Sequence, residues 1–144
     1  MNKLTYAKDK LKNGGHSLVI CADCDTIISN GKGIRPLIEA LEAARGHTEI
    51  YAADRIVGKA AAMLYVLMKA NGVWAEVMSK SALAILAENG TELEYETLTD
   101  NIINRSGTGL CPMEQAVRDI DDPAAAYEAI KQRLNELSET EVKQ

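Results

Sequence analysis

Asp54 opens the stretch DRIVGKAAAMLYVLMKANG, which runs to Gly72 and sets Gly58-Lys59 directly before a long apolar run. Glycine and lysine ahead of a helix are pieces of a phosphate-binding loop, in which backbone amides and the lysine cradle phosphate and a hydroxyl holds magnesium. Counted backwards, the first glycine of that motif falls on Ala53, and the magnesium hydroxyl falls on Ala60. Two required groups are therefore absent, and a P-loop is set aside. A plain structural alternative is that Gly58, Ala60, Ala61 and Ala62 are small so that a helix can approach a sheet closely. That accounts for the alanines but less well for Lys59. A cation in the first turn of a buried helix opposes the helix dipole. Either Lys59 snorkels to solvent, or it faces a bound anion together with the free helix amides. Asp54 would cap that helix and orient the lysine.

Cys111 is the second candidate, because it stands at a helix N-cap position immediately before Pro112. The positive end of a helix favours a thiolate there. Glu114, three residues on, suits a capping box that reaches back to the Cys111 amide. On one reading Cys111 is a nucleophile, with Glu114 or Asp54 as acid or base. On the other, Cys-Pro-x-Glu is a helix start and nothing more. The preceding Arg105-Ser106-Gly107-Thr108-Gly109 segment is either a glycine loop that wraps a ligand, through Arg105 and Thr108, or a surface turn. A further helix start at Ser79-Lys80-Ser81 offers two hydroxyls that can donate hydrogen bonds.

Two other strings resemble metal or redox motifs. Cys21-Ala22-Asp23-Cys24 is a C-x-x-C, but it ends a strand rather than preceding a helix, and no second C-x-x-C follows. His47-Thr48-Glu49 spells H-x-E, the first half of a zinc deaminase signature, yet it lies outside any helical pattern and no P-C-x-x-C follows. No metal and no cofactor is expected. Three cysteines, an odd number, fit free thiols in a reducing compartment.

These residues need a scaffold. Residues 3–13 have helical spacing before Gly14-Gly15. HSLVICADC and DTIISNGKG read as a hairpin closed near Asp23-Cys24-Asp25, and RPLIEALEAARG reads as a helix. TEIYAA is a short extended run, and the apolar stretch from Asp54 predicts a buried helix stopped at Asn71-Gly72. VWAEVMS is a strand, KSALAILAENG a helix capped by Ser79, and ELEYETL a strand with one wet face. Pro112 opens a helix, Asp121-Asp122-Pro123 breaks it, and an amphipathic helix spans about Ala124 to Leu137. A hairpin followed by alternating strands and helices makes an α/β three-layer α/β/α sandwich with a mixed sheet. Residues 1–137 form one domain and 138–144 a frayed polar tail.

Composition agrees with that scaffold. The chain has 144 residues, 47% hydrophobic and 26% charged, with no Phe and one Trp, so its core is aliphatic. The net charge of −5, with no basic block, argues against a nucleic acid polymer as partner. The N-terminal segment lacks the apolar core of a signal peptide, and Ala60 to Met68 is too short to span a bilayer. A cytoplasmic location with no membrane partner is expected.

DRIVGKAAA, MSKSALAIL and NRSGTGLCPMEQAV together resemble an uncharacterised bacterial family with a cytidine-deaminase-like fold that lacks the deaminase zinc ligands. The resemblance runs from about Ser17 to Val117. It implies architecture and no activity. In such a sandwich the helix starts at Asp54 and Ser79 converge at one end of the sheet. Gly58, Lys59, Ser79 and Ser81 would then line an anion-friendly cleft without metal. By analogy with that fold's substrates, the guest is a small anion, with a nucleotide derivative as one form. The chain is read as such a binder or a metal-independent enzyme. The alternative is a catalytically inactive regulatory or assembly subunit, and deaminase-like proteins commonly form homo-oligomers.

Overall fold

The computed structural model describes residues 2–44, 46–104 and 106–143. Helix α1 (Lys3–Gly14) is capped by Asn2, whose side chain accepts from the amides of Leu4 and Thr5. Strands β1 (Leu18–Ala22) and β2 (Asp25–Ser29) form the expected hairpin, with Ala22 opposite Asp25. Its two-residue turn has Asp23 at φ 53°, the left-handed conformation such hairpins favour.

After α2 (Arg35–Ala44) comes β3 (Ile50–Val57), which is longer than the sequence suggests. Asp54 is therefore no helix cap. It lies inside the strand, paired in register with Leu18 and Ala75. The β-branched pair Ile56-Val57 carries the extended conformation onward, and α3 (Lys59–Met68) starts only after Gly58. There follow β4 (Gly72–Ser79), α4 (Lys80–Glu88), β5 (Glu92–Thr99), α5 (Pro112–Val117) and α6 (Pro123–Lys143). Helix α6 continues past Leu137, since residues 138–143 contain neither glycine nor proline to stop it.

The fold is α/β, with one mixed five-stranded sheet in the order β2-β1-β3-β4-β5. β1 is antiparallel to both of its neighbours, while β3, β4 and β5 run parallel. Alternation along the strands sends successive side chains to opposite faces. On one face Val19, Cys21, Ala53 and Trp74 pack against Leu4, Ala7 and Leu11 of α1. On the other, Leu18, Ile20, Ala52, Val73 and Ala75 meet α2 through α6 in an aliphatic core. Strand β5 does not have the single wet face its alternation predicts. It is the sheet edge, and most of its residues are exposed on both faces.

Candidate functional site

A half-open cleft of about 1110 Å³ lies at the end of the sheet where β2 and β3 finish and β1 begins. Its floor is the last turn of β3 and the first of α3, contributed by Asp54, Ile56, Gly58, Ala60 and Ala61. The segment from Asn30 to Leu37 forms one wall, and residues 102–104, 106 and 111–114 form another. Leu134 and Leu137 of α6 complete the rim. This is the carboxyl end of a run of parallel strands, where open α/β sheets bind ligands.

Asp54 projects to the face of the sheet that α3 covers. The Tyr65 hydroxyl donates to its Oδ2 at 2.7 Å. Burial pushes the Asp54 carboxyl up to about 6, and the Tyr65 hydrogen bond offsets only part of that. Burial together with the neighbouring Asp54 carboxylate raises the Tyr65 hydroxyl well above its ordinary value. Arg55, next in sequence, points to the opposite face. It donates through Nε to the His16 carbonyl at 2.9 Å and through a terminal nitrogen to Glu76 at 2.9 Å. Strand alternation thus denies Asp54 the adjacent cation.

The N-terminus of α3 is closed from within the protein. Glu114 accepts from the amides of Lys59 at 2.7 Å and Ala60 at 2.8 Å. Gly58 has no side chain to cap the helix, and a Cβ there would stand 2.1 Å from Glu114 Oε1. Only glycine admits this carboxylate. Glu114 makes no capping box with Cys111, whose amide donates instead to the Ile102 carbonyl at 3.0 Å. Lys59 directs its ammonium to the Arg118 carbonyl at 2.9 Å, 3.9 Å from Asp121 Oδ1. It ties down the end of α5.

The sequence-derived candidates thus divide. Asp54, Gly58, Cys111 and Glu114 share the lining of one cleft. Ser79 is buried and caps α4 by accepting from the Ala82 amide at 3.1 Å, and Ser81 is exposed. Neither belongs to the lining, nor does Lys59. Thr108 is engaged within its own hairpin, where Asn104 and Ser106 bond its hydroxyl. Arg105 lies outside the described residues.

The decoy motifs also resolve. Cys21 is buried under α1 while Cys24 is exposed in the turn, and burial raises the Cys21 thiol. His47 donates to the Ala44 carbonyl at 3.0 Å and lies 3.4 Å from Asp25, contacts that raise its pKa in that order. Among the described residues no group of three or more His, Cys, Asp and Glu is placed to hold a metal ion. Among them, too, no helix is long and apolar enough to cross a membrane.

Residues 6–134 match the family described as TM1506: Domain of unknown function (DUF1893). The chain belongs to the DUF1893 family. It is similar to the crystal structure of a DUF1893 family protein (TM1506) from Thermotoga maritima, with 28% identity and a TM-score of 0.78. That match covers 94% of this chain and 91% of the other. No curated protein matches it.

In this DUF1893 chain sequence reasoning misses one part of the cleft, the Asn30–Arg35 segment, and the partner of one lining residue, Tyr65 behind Asp54. Tyr65 sits in a helix that is apolar nearly all round, so nothing local marks its hydroxyl as the partner of Asp54. The Asn30–Arg35 segment, NGKGIR, carries a signal in its glycine-lysine-glycine pattern, but its attachment to a β-rich run masks it.

Proposed function

We propose that this chain is a small-molecule-binding protein, or a metal-independent enzyme, on a deaminase-like three-layer α/β/α scaffold, and that its ligand occupies the cleft above β3. The carrying observation is that Asp54 and Cys111, far apart in sequence, line one cavity at the carboxyl end of the parallel strands. Helices on both sheet faces support the scaffold assignment. The ligand is a small anion, and the nucleotide form of it rests on analogy with the scaffold. Asp54 is the acid–base candidate: a carboxyl whose proton affinity lies near neutrality can both give and take a proton. Cys111 is the cleft's thiol and the nucleophile candidate. Glu114 acts here as a structural anion that holds α5 against α3. A cytoplasmic location goes with this reading.

The test is titration of isotopically labelled protein with adenosine and uridine 5′-monophosphates and with inorganic phosphate, following amide resonances. Shifts confined to Gly33, Gly58, Cys111 and their neighbours support an anion site in the cleft. Mass spectra of freshly purified protein add a second readout, since a retained anion is an excess that denaturation removes. An unchanged spectrum and a bare mass would overturn the nucleotide and phosphate forms of the anion.

One observation favours the second reading, a catalytically inactive regulatory or assembly subunit. The two amides that α3 could offer a ligand are already taken by Glu114. Thiol labelling separates the two. A cleft nucleophile makes Cys111 alkylate ahead of exposed Cys24, whereas labelling ordered by exposure alone supports the inactive scaffold.

A further inference from the structure

Ile56, Ile103 and Leu137 are 53%, 52% and 38% exposed. Seven large hydrophobic side chains are exposed among the described residues, and these three line the same cleft. Scattered exposed apolar residues need no explanation, but convergence on one concavity marks a surface that an apolar body covers. Ile34, Leu37 and Ile102 add to the same apolar lining.

The polar side of the lining has a sign. Its carboxylates, Asp54 and Glu114, are held by internal donors: the Tyr65 hydroxyl for one, and the amides of Lys59 and Ala60 for the other. Lys32, on the glycine-containing segment at the mouth, is an exposed cation of the same lining. In a chain of net charge −5, an exposed cation beside an apolar lining is a local departure that selects an anionic head.

The lining also lacks something a base would need. Among its described residues there is no Tyr, Trp or His, and the chain has no Phe. Sites that hold nucleobases usually stack them on aromatic rings. An aliphatic wall gives a planar base no such platform, but it suits a flexible hydrocarbon chain.

We infer that the ligand of this cleft is an amphipathic anion with an aliphatic body, a free medium-chain acyl carboxylate in chemical class. Its head lies at Lys32 and its chain along Ile34, Ile56, Ile103 and Leu137. This rests on the reading of the cleft as the ligand site and selects the aliphatic over the nucleotide form of the anion.

Sodium decanoate below its micelle-forming concentration is the probe, with decanol as its uncharged counterpart and adenosine 5′-monophosphate as the nucleotide. Decanoate should shift the amides of Gly33, Ile56, Ile103 and Cys111. Lys32→Glu should weaken decanoate by about tenfold while leaving decanol nearly unchanged, the effect of removing one charge contact and adding a repulsive one. Ile56→Ser should weaken both. Lys32 and Ile56 are exposed, so neither change threatens the fold. Binding of the nucleotide in the cleft without decanoate would overturn the aliphatic assignment and leave the cleft reading standing. No shift with any probe would overturn both. Equal loss of decanoate and decanol in Lys32→Glu would overturn the head-group placement. Cosedimentation with phosphatidylglycerol vesicles that decanoate does not compete would overturn the assignment to a free anion.

Discussion

Glu114 of α5 closes the N-terminus of α3, with Oε1 2.7 Å from the Lys59 amide nitrogen and Oε2 2.8 Å from that of Ala60. The helix end that the sequence offers to a ligand is thus held by the protein's own carboxylate. That contact joins residues 55 positions apart and fixes one wall of the cleft against its floor.

Removing this carboxylate should cost stability. Glu114→Ala leaves two amides uncapped at a nearly buried site, a loss of about 1–3 kcal/mol. Glu114→Gln keeps one acceptor oxygen and should lose less. Gly58→Ala should destabilise by a similar route, because its Cβ would displace the carboxylate from its seat. Urea denaturation of the three variants checks the order. A neutral Glu114→Ala would show that the contact is dispensable.

Lys59→Met separates two roles. The ammonium holds the Arg118 carbonyl at the end of α5 and lies outside the cleft lining. Its loss should cost about 1 kcal/mol of stability. Cleft ligands should bind as before. A variant of parental stability that no longer binds them would place Lys59 back in the site.

Much of this arrangement is legible in the sequence, and the limits are physical. Element order follows from periodicity and from breakers such as Gly14-Gly15 and Pro112, so the hairpin, the buried helix and the alternating β/α units are all readable. Asp54 misleads because an N-cap residue and a strand residue look alike before Gly58. What decides is pairing with Leu18 and Ala75, which only the folded sheet supplies. Glu114 misleads for the same reason. A local capping box and a long-range cap use the same side chain, and the free amides of α3 compete successfully for it.

Asp54 should make stability fall with pH. Its carboxyl is raised to about 6, above the usual carboxylate value, so the folded chain holds this proton more tightly than the unfolded chain does. The stabilisation is complete below about pH 4, and is lost as pH rises through about 6. Asp54→Asn removes that dependence. It should gain about 1–3 kcal/mol relative to the parent at pH 8 and little or nothing at pH 4. Tyr65→Phe should do the reverse, losing most at high pH where the hydroxyl donates to a charged oxygen. Thermal melts across that range test both, and parallel curves for Asp54→Asn and the parent would refute the assignment.

Trp74 offers a reporter for the other face of the sheet. It is the chain's single tryptophan, is buried, and sits beneath α1 with the ammonium groups of Lys8 and Lys12 each 5.8 Å from its ring centroid. Leu4, Ala7 and Leu11 are the apolar contacts of that helix with the sheet. Leu11→Ala should therefore cost about 2–5 kcal/mol, the range for truncating a buried leucine. The loss should show first as a red shift of Trp74 emission, because among the described residues α1 supplies the helical cover of this face. The α2–α6 side does not depend on α1, so cleft ligands should still bind under conditions where the variant remains folded. Loss of cleft binding at unchanged Trp74 emission would mean that the two faces of the sheet are coupled in a way this packing does not provide.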